Sequence, residues 1–203
     1  VIDDKQVDTI PADVVGKMPR RESRFLRWLG RVGMRLMGGW KINGELPNVK
    51  KAIIPVAPHS SNWDFPIGVF VMFALGMKLN YFGKKSLFRF PLNGLMRKLG
   101  GIPIDRSAAN GVVQQMVEQF KKQPELVLVI APEGTRKKVN EWKKGFIHIA
   151  QQARVPVVPV VMDYARKVID IGPAIMIGHD IEVELKRVKG FFSHAVGKNP
   201  EYC

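Results

Sequence analysis

The spacing of apolar and polar positions changes several times along this chain. From Arg20 to Trp40, RRESRFLRWLGRVGMRLMGGW, arginines at 20, 24, 27, 31 and 35 recur every three or four residues. Phe25, Leu29, Val32, Leu36 and Trp40 occupy the opposite side, so the period predicts a basic amphipathic helix over 20–40. Two placements are open to such a helix. It can lie in a membrane interface, or it can pack its apolar side on the domain with the arginines in solvent. Residues 1–19 carry Asp, Pro and Gly and read as a tail, and residues 41–203 read as the domain proper.

Within that domain a hinge-like KINGELPNVKK precedes AIIPVA at 52–57, a short buried strand. The run FPIGVFVMFALGM at 65–77 reads as a buried helix that starts near Asn62 or Asp64, because Asn and Asp favour helix starts and Pro is tolerated in the first turn. Strand-like runs follow at NYFG, GIPI, LVLVIA (126–131) and VPVVPVVM (155–162). Helical stretches at 112–122 and 143–153 lie between them. The alternation predicts a single α/β domain with a mainly parallel mixed sheet flanked by helices, preceded by the N-terminal amphipathic helix.

Length and charge narrow the partners rather than the fold. The 203 residues suffice for one domain with a real core. Thirty-two Lys and Arg against eighteen Asp and Glu give a net charge of +14, which attracts nucleic acid, an anionic membrane surface or an acidic carrier. The single cysteine, Cys203, excludes an internal disulfide framework. The opening VIDDKQVD lacks the layout of a signal segment, and the thirteen residues from 65 to 77 fall short of the ~20 needed to span a bilayer. Membrane association is therefore expected to be peripheral.

Two polar clusters directly follow apolar runs: HSSNWD at 59–64 and PEGTRKK at 132–138. In open α/β sheets ligands gather outside the carboxyl ends of strands, so these clusters can converge there. An imidazole can take a proton from an attacking hydroxyl when a carboxylate holds its other nitrogen, and His59 and Asp64 are spaced to allow that contact. With four His in the chain, one such pair arises by chance in roughly one chain in five, so the spacing needs support. EGTR supplies it, since a specified tetrapeptide occurs by chance in roughly one chain in a thousand. Gly134 lets backbone approach a ligand, Thr135 offers a hydroxyl, Arg136 can grip a phosphate through its planar fork, and Glu133 can orient that arginine. His and carboxylates do not cluster at ligand spacing, so neither a metal nor another cofactor is expected.

With these blocks the chain resembles the glycerophospholipid acyltransferases, typified by the bacterial 1-acylglycerol-3-phosphate acyltransferases. His59 and Asp64 match the H-x4-D block. Lys85, Leu87, Pro91, Gly94, Gly101, Ile104, Asp105 and Arg106 match the second, EGTR is the third, and VPVVPV with Pro156 and Pro159 is the fourth. The resemblance covers about residues 40–185. It implies a glycerol-phosphate acyltransferase-like fold and transfer of an acyl group from acyl-CoA or an acyl carrier protein to the hydroxyl of a lysophospholipid acceptor. His59 would be the base with Asp64 orienting it, and Arg136 and Arg106, helped by Lys85, would hold the acceptor phosphate. Its implied setting is the cytoplasmic face of a membrane, as a peripheral enzyme of phospholipid biosynthesis. Two departures stand out. Pro103 replaces the aromatic residue frequent in the second block, and the long apolar N-terminal segments of many relatives are missing here.

Two competing classes use the same charge differently. A nucleic-acid binder would set the 20–40 helix on phosphates, but it leaves His59, Asp64 and EGTR unexplained and no nucleic-acid module is recognisable. A non-catalytic membrane protein of the same fold is disfavoured by the intact His59 and Asp64.

Overall fold

The computed structural model describes residues 10–104, 111–139 and 141–202. Among these, seven strands form one sheet in the order β1-β7-β6-β2-β5-β3-β4. They are β1 (Lys41–Asn43), β2 (Lys51–Ala57), β3 (Asn80–Lys84), β4 (Gly101–Ile104), β5 (Leu126–Ile130), β6 (Val160–Asp163) and β7 (Val168–Ile171). Every neighbouring pair is parallel except β6 with β7. The helices are α1 (Arg24–Leu36), α2 (Asp64–Leu75), α3 (Asn93–Lys98), α4 (Gly111–Lys122), α5 (Gly145–Ala153) and α6 (Ile181–Gly190).

β2 and β5 run through the centre, in register from Lys51 with Leu126 to Pro55 with Ile130. Their near-continuous apolar sequences suit strands covered on both faces. Ile53, Val127, Leu128, Phe120 of α4 and Ile147 of α5 are all fully buried in the main core around them. A smaller cluster, Met34, Trp40, Ile67, Met162 and Ile169, forms where α1 and α2 meet β6 and β7.

Three expectations shift. The strand expected over 155–162 begins only at Val160: Pro156 and Pro159 have no N–H to give a ladder, and Val157 makes only isolated bridges to Ile53 and Ile175. The hinge-like segment contains strand β1. The expected tail is packed from Ile10 onward, with Val14 and Met18 buried and the Lys50 N–H donating to the Val14 carbonyl at 2.9 Å. Residues 1–9 lie outside the described residues.

The N-terminal helix is shorter than 20–40, beginning after Ser23, whose hydroxyl accepts from the Leu26 N–H at 3.2 Å. Its buried residues are Gly30, Gly33 and Met34. A Cβ on Gly30 would stand 2.3 Å from the Ala74 nitrogen, and one on Gly33 would stand 2.2 Å from the Phe70 ring. Only glycine permits this approach to α2. The helix therefore carries three stripes. One packs on α2, one bears the arginines, and the third leaves Phe25, Trp28 and Leu36 exposed.

Candidate active site

β2 ends at Ala57, and the turn from a cis Ala57–Pro58 bond to α2 carries the first motif. Asp64 is the first residue of α2, where the partial positive charge of the helix start favours a carboxylate. Its Oδ2 lies 3.0 Å from His59 Nδ1 and accepts from the Ser61 N–H at 2.9 Å. The contact that the five-residue spacing allows is therefore made. The Asp64 side chain is 3 % exposed and that of His59 21 %, so the acid is sequestered while the imidazole reaches the surface. Burial alone would raise the Asp64 pKa. Hydrogen bonds from His59, Tyr164 and the Ser61 backbone outweigh it and hold the carboxyl below its ordinary range. An ionised Asp64 keeps the shared proton on Nδ1 and leaves Nε2 with the lone pair.

The serines of the motif shape the turn. Ser61 Oγ accepts from the Trp63 N–H at 3.2 Å. Ser60 is tied to the distant Asn199, whose backbone N–H donates to Ser60 Oγ at 3.0 Å and whose side-chain amide donates to the Ser60 carbonyl at 2.8 Å. Next to it, Lys198 Nζ stands 4.6 Å from the centre of the Trp63 ring. Two residues, Lys198 and Asn199, thus brace this turn from the far end of the sequence.

EGTR leaves β5 beside it. Glu133 is buried, and its Oε2 accepts from the backbone N–H of His59 at 2.8 Å. One oxygen is thus committed to the first motif rather than to Arg136. Burial pushes the Glu133 pKa up, with partial relief from that N–H. Gly134 adopts φ +68°, and the Lys143 side chain lies over it, 2.7 Å from where a Cβ would be. Thr135 Oγ1 accepts from the Lys137 N–H at 3.3 Å, and Arg136 is exposed. Gly134, Thr135 and Arg136 thus form an open basic loop next to His59, joined by Lys143. Arg106 and the side chain of Lys85 lie outside the described residues.

Tyr164 was not foreseen from sequence. It sits in the turn between β6 and β7, and its hydroxyl donates to Asp64 Oδ1 at 2.6 Å, across 100 positions. No local pattern marks it. Exposed apolar side chains ring the same end of the sheet: Trp63 and Phe65 at the start of α2, and Phe90 and Leu92 beyond β3. A cleft of about 220 Å³ at the amino ends of β3 and β5, lined by Arg21, Lys78, Asn80 and Glu125 among others, is remote from the dyad.

Residues 41–163 match the family model described as Acyltransferase. Among curated proteins, a 1-acyl-sn-glycerol-3-phosphate acyltransferase from Saccharomyces cerevisiae is 36 % identical over 64 % of this chain and 45 % of its own. One from Limnanthes douglasii is 34 % identical over 60 % and 44 %, and one from Haemophilus influenzae 29 % over 75 % and 65 %. The chain thus spans about half the length of the curated relatives it matches. The crystal structure of the 1-acyl-sn-glycerophosphate (LPA) acyltransferase PlsC from Thermotoga maritima superposes with a TM-score of 0.57 at 21 % identity, covering 85 % of this chain and 80 % of that one, a likeness of fold. With the family match falling on the segment that builds the His59 and Asp64 site, this chain belongs to the glycerophospholipid acyltransferase family.

Proposed function

We propose that this protein transfers a fatty acyl group from an acyl thioester to the free hydroxyl of a lysophosphatidic acid-like acceptor. The observation that carries this reading is the His59 Nδ1 to Asp64 Oδ2 contact of 3.0 Å beside the EGTR loop. The names of the relatives supply the acceptor class.

In the reaction His59 Nε2 takes the proton of the acceptor hydroxyl as its oxygen attacks the thioester carbonyl carbon. Asp64 holds the ring and stabilises the imidazolium that forms. Collapse of the tetrahedral species breaks the carbon–sulfur bond, and the imidazolium proton passes to the departing thiolate. Acyl thioester and alcohol become ester and thiol, with no acyl-enzyme. Arg136, with Arg106 and Lys85 from the second block, is assigned to the acceptor phosphate, and Lys143 joins them from its place over Gly134. Acyl-CoA and acyl carrier protein are both fitting donors, each bringing negative charge to a chain of net charge +14.

The enzyme works on an anionic membrane surface, attached peripherally at its cytoplasmic face. No helix among the described residues is long and apolar enough to cross a membrane. α1 instead presents Phe25, Trp28 and Leu36 beside a row of arginines, the composition of a helix that rests in an interface. Each arginine gains about 1 kcal/mol near anionic lipid.

The test pairs acyl-CoA and acyl carrier protein donors with a panel of lyso-lipids, read by mass spectrometry. Wild-type protein is expected to acylate lysophosphatidic acid and His59→Ala to leave it unmodified. Equal turnover by the two proteins would remove the proposed base.

A further inference from the structure

Two oxygens of Asp64 receive three donors. Oδ2 takes His59 Nδ1 and the Ser61 N–H, and Oδ1 takes the Tyr164 hydroxyl. A carboxylate held on one oxygen alone can rock about its Cβ–Cγ bond, and its partner imidazole rocks with it. A donor on the second oxygen removes that freedom. We propose that Tyr164 is a positioning residue for acyl transfer, its hydroxyl fixing the Asp64 carboxylate that in turn orients His59.

The fold delivers that hydroxyl through a tightly bonded turn. Asp163, 1 % exposed, accepts from the Ala165 and Arg166 N–H groups with Oδ1, and from Arg166 Nε with Oδ2 at 2.6 Å. Arg166 also reaches Asp170, on β7. The Tyr164 N–H donates to the Val196 carbonyl at 2.8 Å. Its ring meets the buried Trp40 edge-on, with centroids 4.9 Å apart. The phenol is therefore aimed from a rigid support, at a charge-assisted distance of 2.6 Å. Burial first, and then the hydrogen bond to Asp64 and the charge of that carboxylate, push the Tyr164 pKa upward, so the phenol keeps the proton it donates. The residue lies one position beyond the segment that matches the family model.

This role rests on His59 being the base, and the experiment separates the two ideas. Tyr164→Phe keeps the ring on Trp40 and removes only the oxygen. It is expected to lower kcat about tenfold, as loss of a hydrogen bond to a charged group does, with KM for both substrates within about twofold of wild type. In an Asp64→Asn background the same change is expected to alter kcat by less than about twofold, because the carboxylate through which it acts is gone. The His59 Nδ1–H proton resonance should move downfield in Tyr164→Phe. Replacing Tyr164 with 3-fluorotyrosine, a stronger donor that preserves the packing, should move it upfield, which keeps the test available should the Phe variant fold poorly. A wild-type kcat in Tyr164→Phe, an equal loss in both backgrounds, or an unmoved resonance would overturn the proposal. His59→Ala retaining activity would overturn the base and this role together, whereas an inactive His59→Ala beside a fully active Tyr164→Phe would overturn the role of Tyr164 alone.

Discussion

The backbone N–H of His59 donates to Glu133 Oε2 at 2.8 Å, a bond that joins two motif loops separated by 74 positions. The side chain of His59 is thus set from below by its own main chain and from the side by Asp64. Motifs far apart in sequence act as one unit because β2 and β5 are hydrogen-bonded neighbours.

Glu133→Gln keeps an oxygen that can accept from His59, so its activity is expected to stay within about threefold of wild type, and Glu133→Ala is expected to lose at least about tenfold. Stability should separate the same variants by pH. The Glu133 pKa is raised above its ordinary value of 4.5 on folding, so the folded state holds a proton that the unfolded chain releases as pH rises. That contribution is fully present below the unfolded pKa and is lost as pH rises through the folded one. Urea denaturation should therefore show Glu133→Gln gaining on wild type as pH climbs from below 4.5 to neutrality.

Asp64 carries the opposite sign. Its folded pKa is lowered below 3.8, so its contribution is present above that value and disappears as pH falls through the folded pKa. Asp64→Asn is expected to be less stable than wild type at neutral pH, with the gap closing in strong acid. Its kcat should fall by about a hundredfold or more. Comparable kcat values for the two proteins would show that the carboxylate has no orienting role.

Gly30 sits where a Cβ would meet backbone atoms of α2, which cannot yield as a flexible side chain can. Gly30→Ala is expected to cost about 1–3 kcal/mol in chemical denaturation, although alanine is the better helix former. A stabilised variant would mean that α1 does not pack on α2 as described.

Trp28 and Leu36 face away from α2, at 58 % and 81 % exposure. Trp28→Ser with Leu36→Ser should reduce sedimentation with anionic vesicles at least about fivefold and leave the melting temperature within about 2 °C. Wild-type binding should weaken as salt rises, through screening of the arginines. Undiminished vesicle binding by the double variant would remove α1 from the membrane contact.

Asn199 makes two bonds to Ser60, and Asn199→Ala is expected to cost about 1–2 kcal/mol of stability together with a severalfold loss of kcat. Unchanged kinetics would leave the bracing of the turn without consequence for catalysis.

What could be read in advance divides along physical lines. β2 and β5 announce themselves because a central parallel strand is apolar on both faces. β1 does not, because KIN is short, polar and at the sheet edge. The period of the N-terminal helix was legible, but its packed face was not. Glycines at 30 and 33 look like gaps in an apolar stripe, and they are the contact itself. His59 and Asp64 could be paired from a local spacing, whereas Tyr164 reaches Asp64 across 100 positions and Asn199 reaches Ser60 across 139, and neither leaves a local trace. The fourth block looked like a strand by composition, and its two prolines delay the ladder until Val160.

On a translating ribosome, His59 and Asp64 emerge almost together with Ser61, long before the distant residues that hold them. Glu133 follows, then Tyr164, and Asn199 arrives 139 positions after the serine it secures. A chain halted between these points carries His59 and Asp64 without the distant bonds that hold them, and the turn is fully braced only after Asn199 has been made.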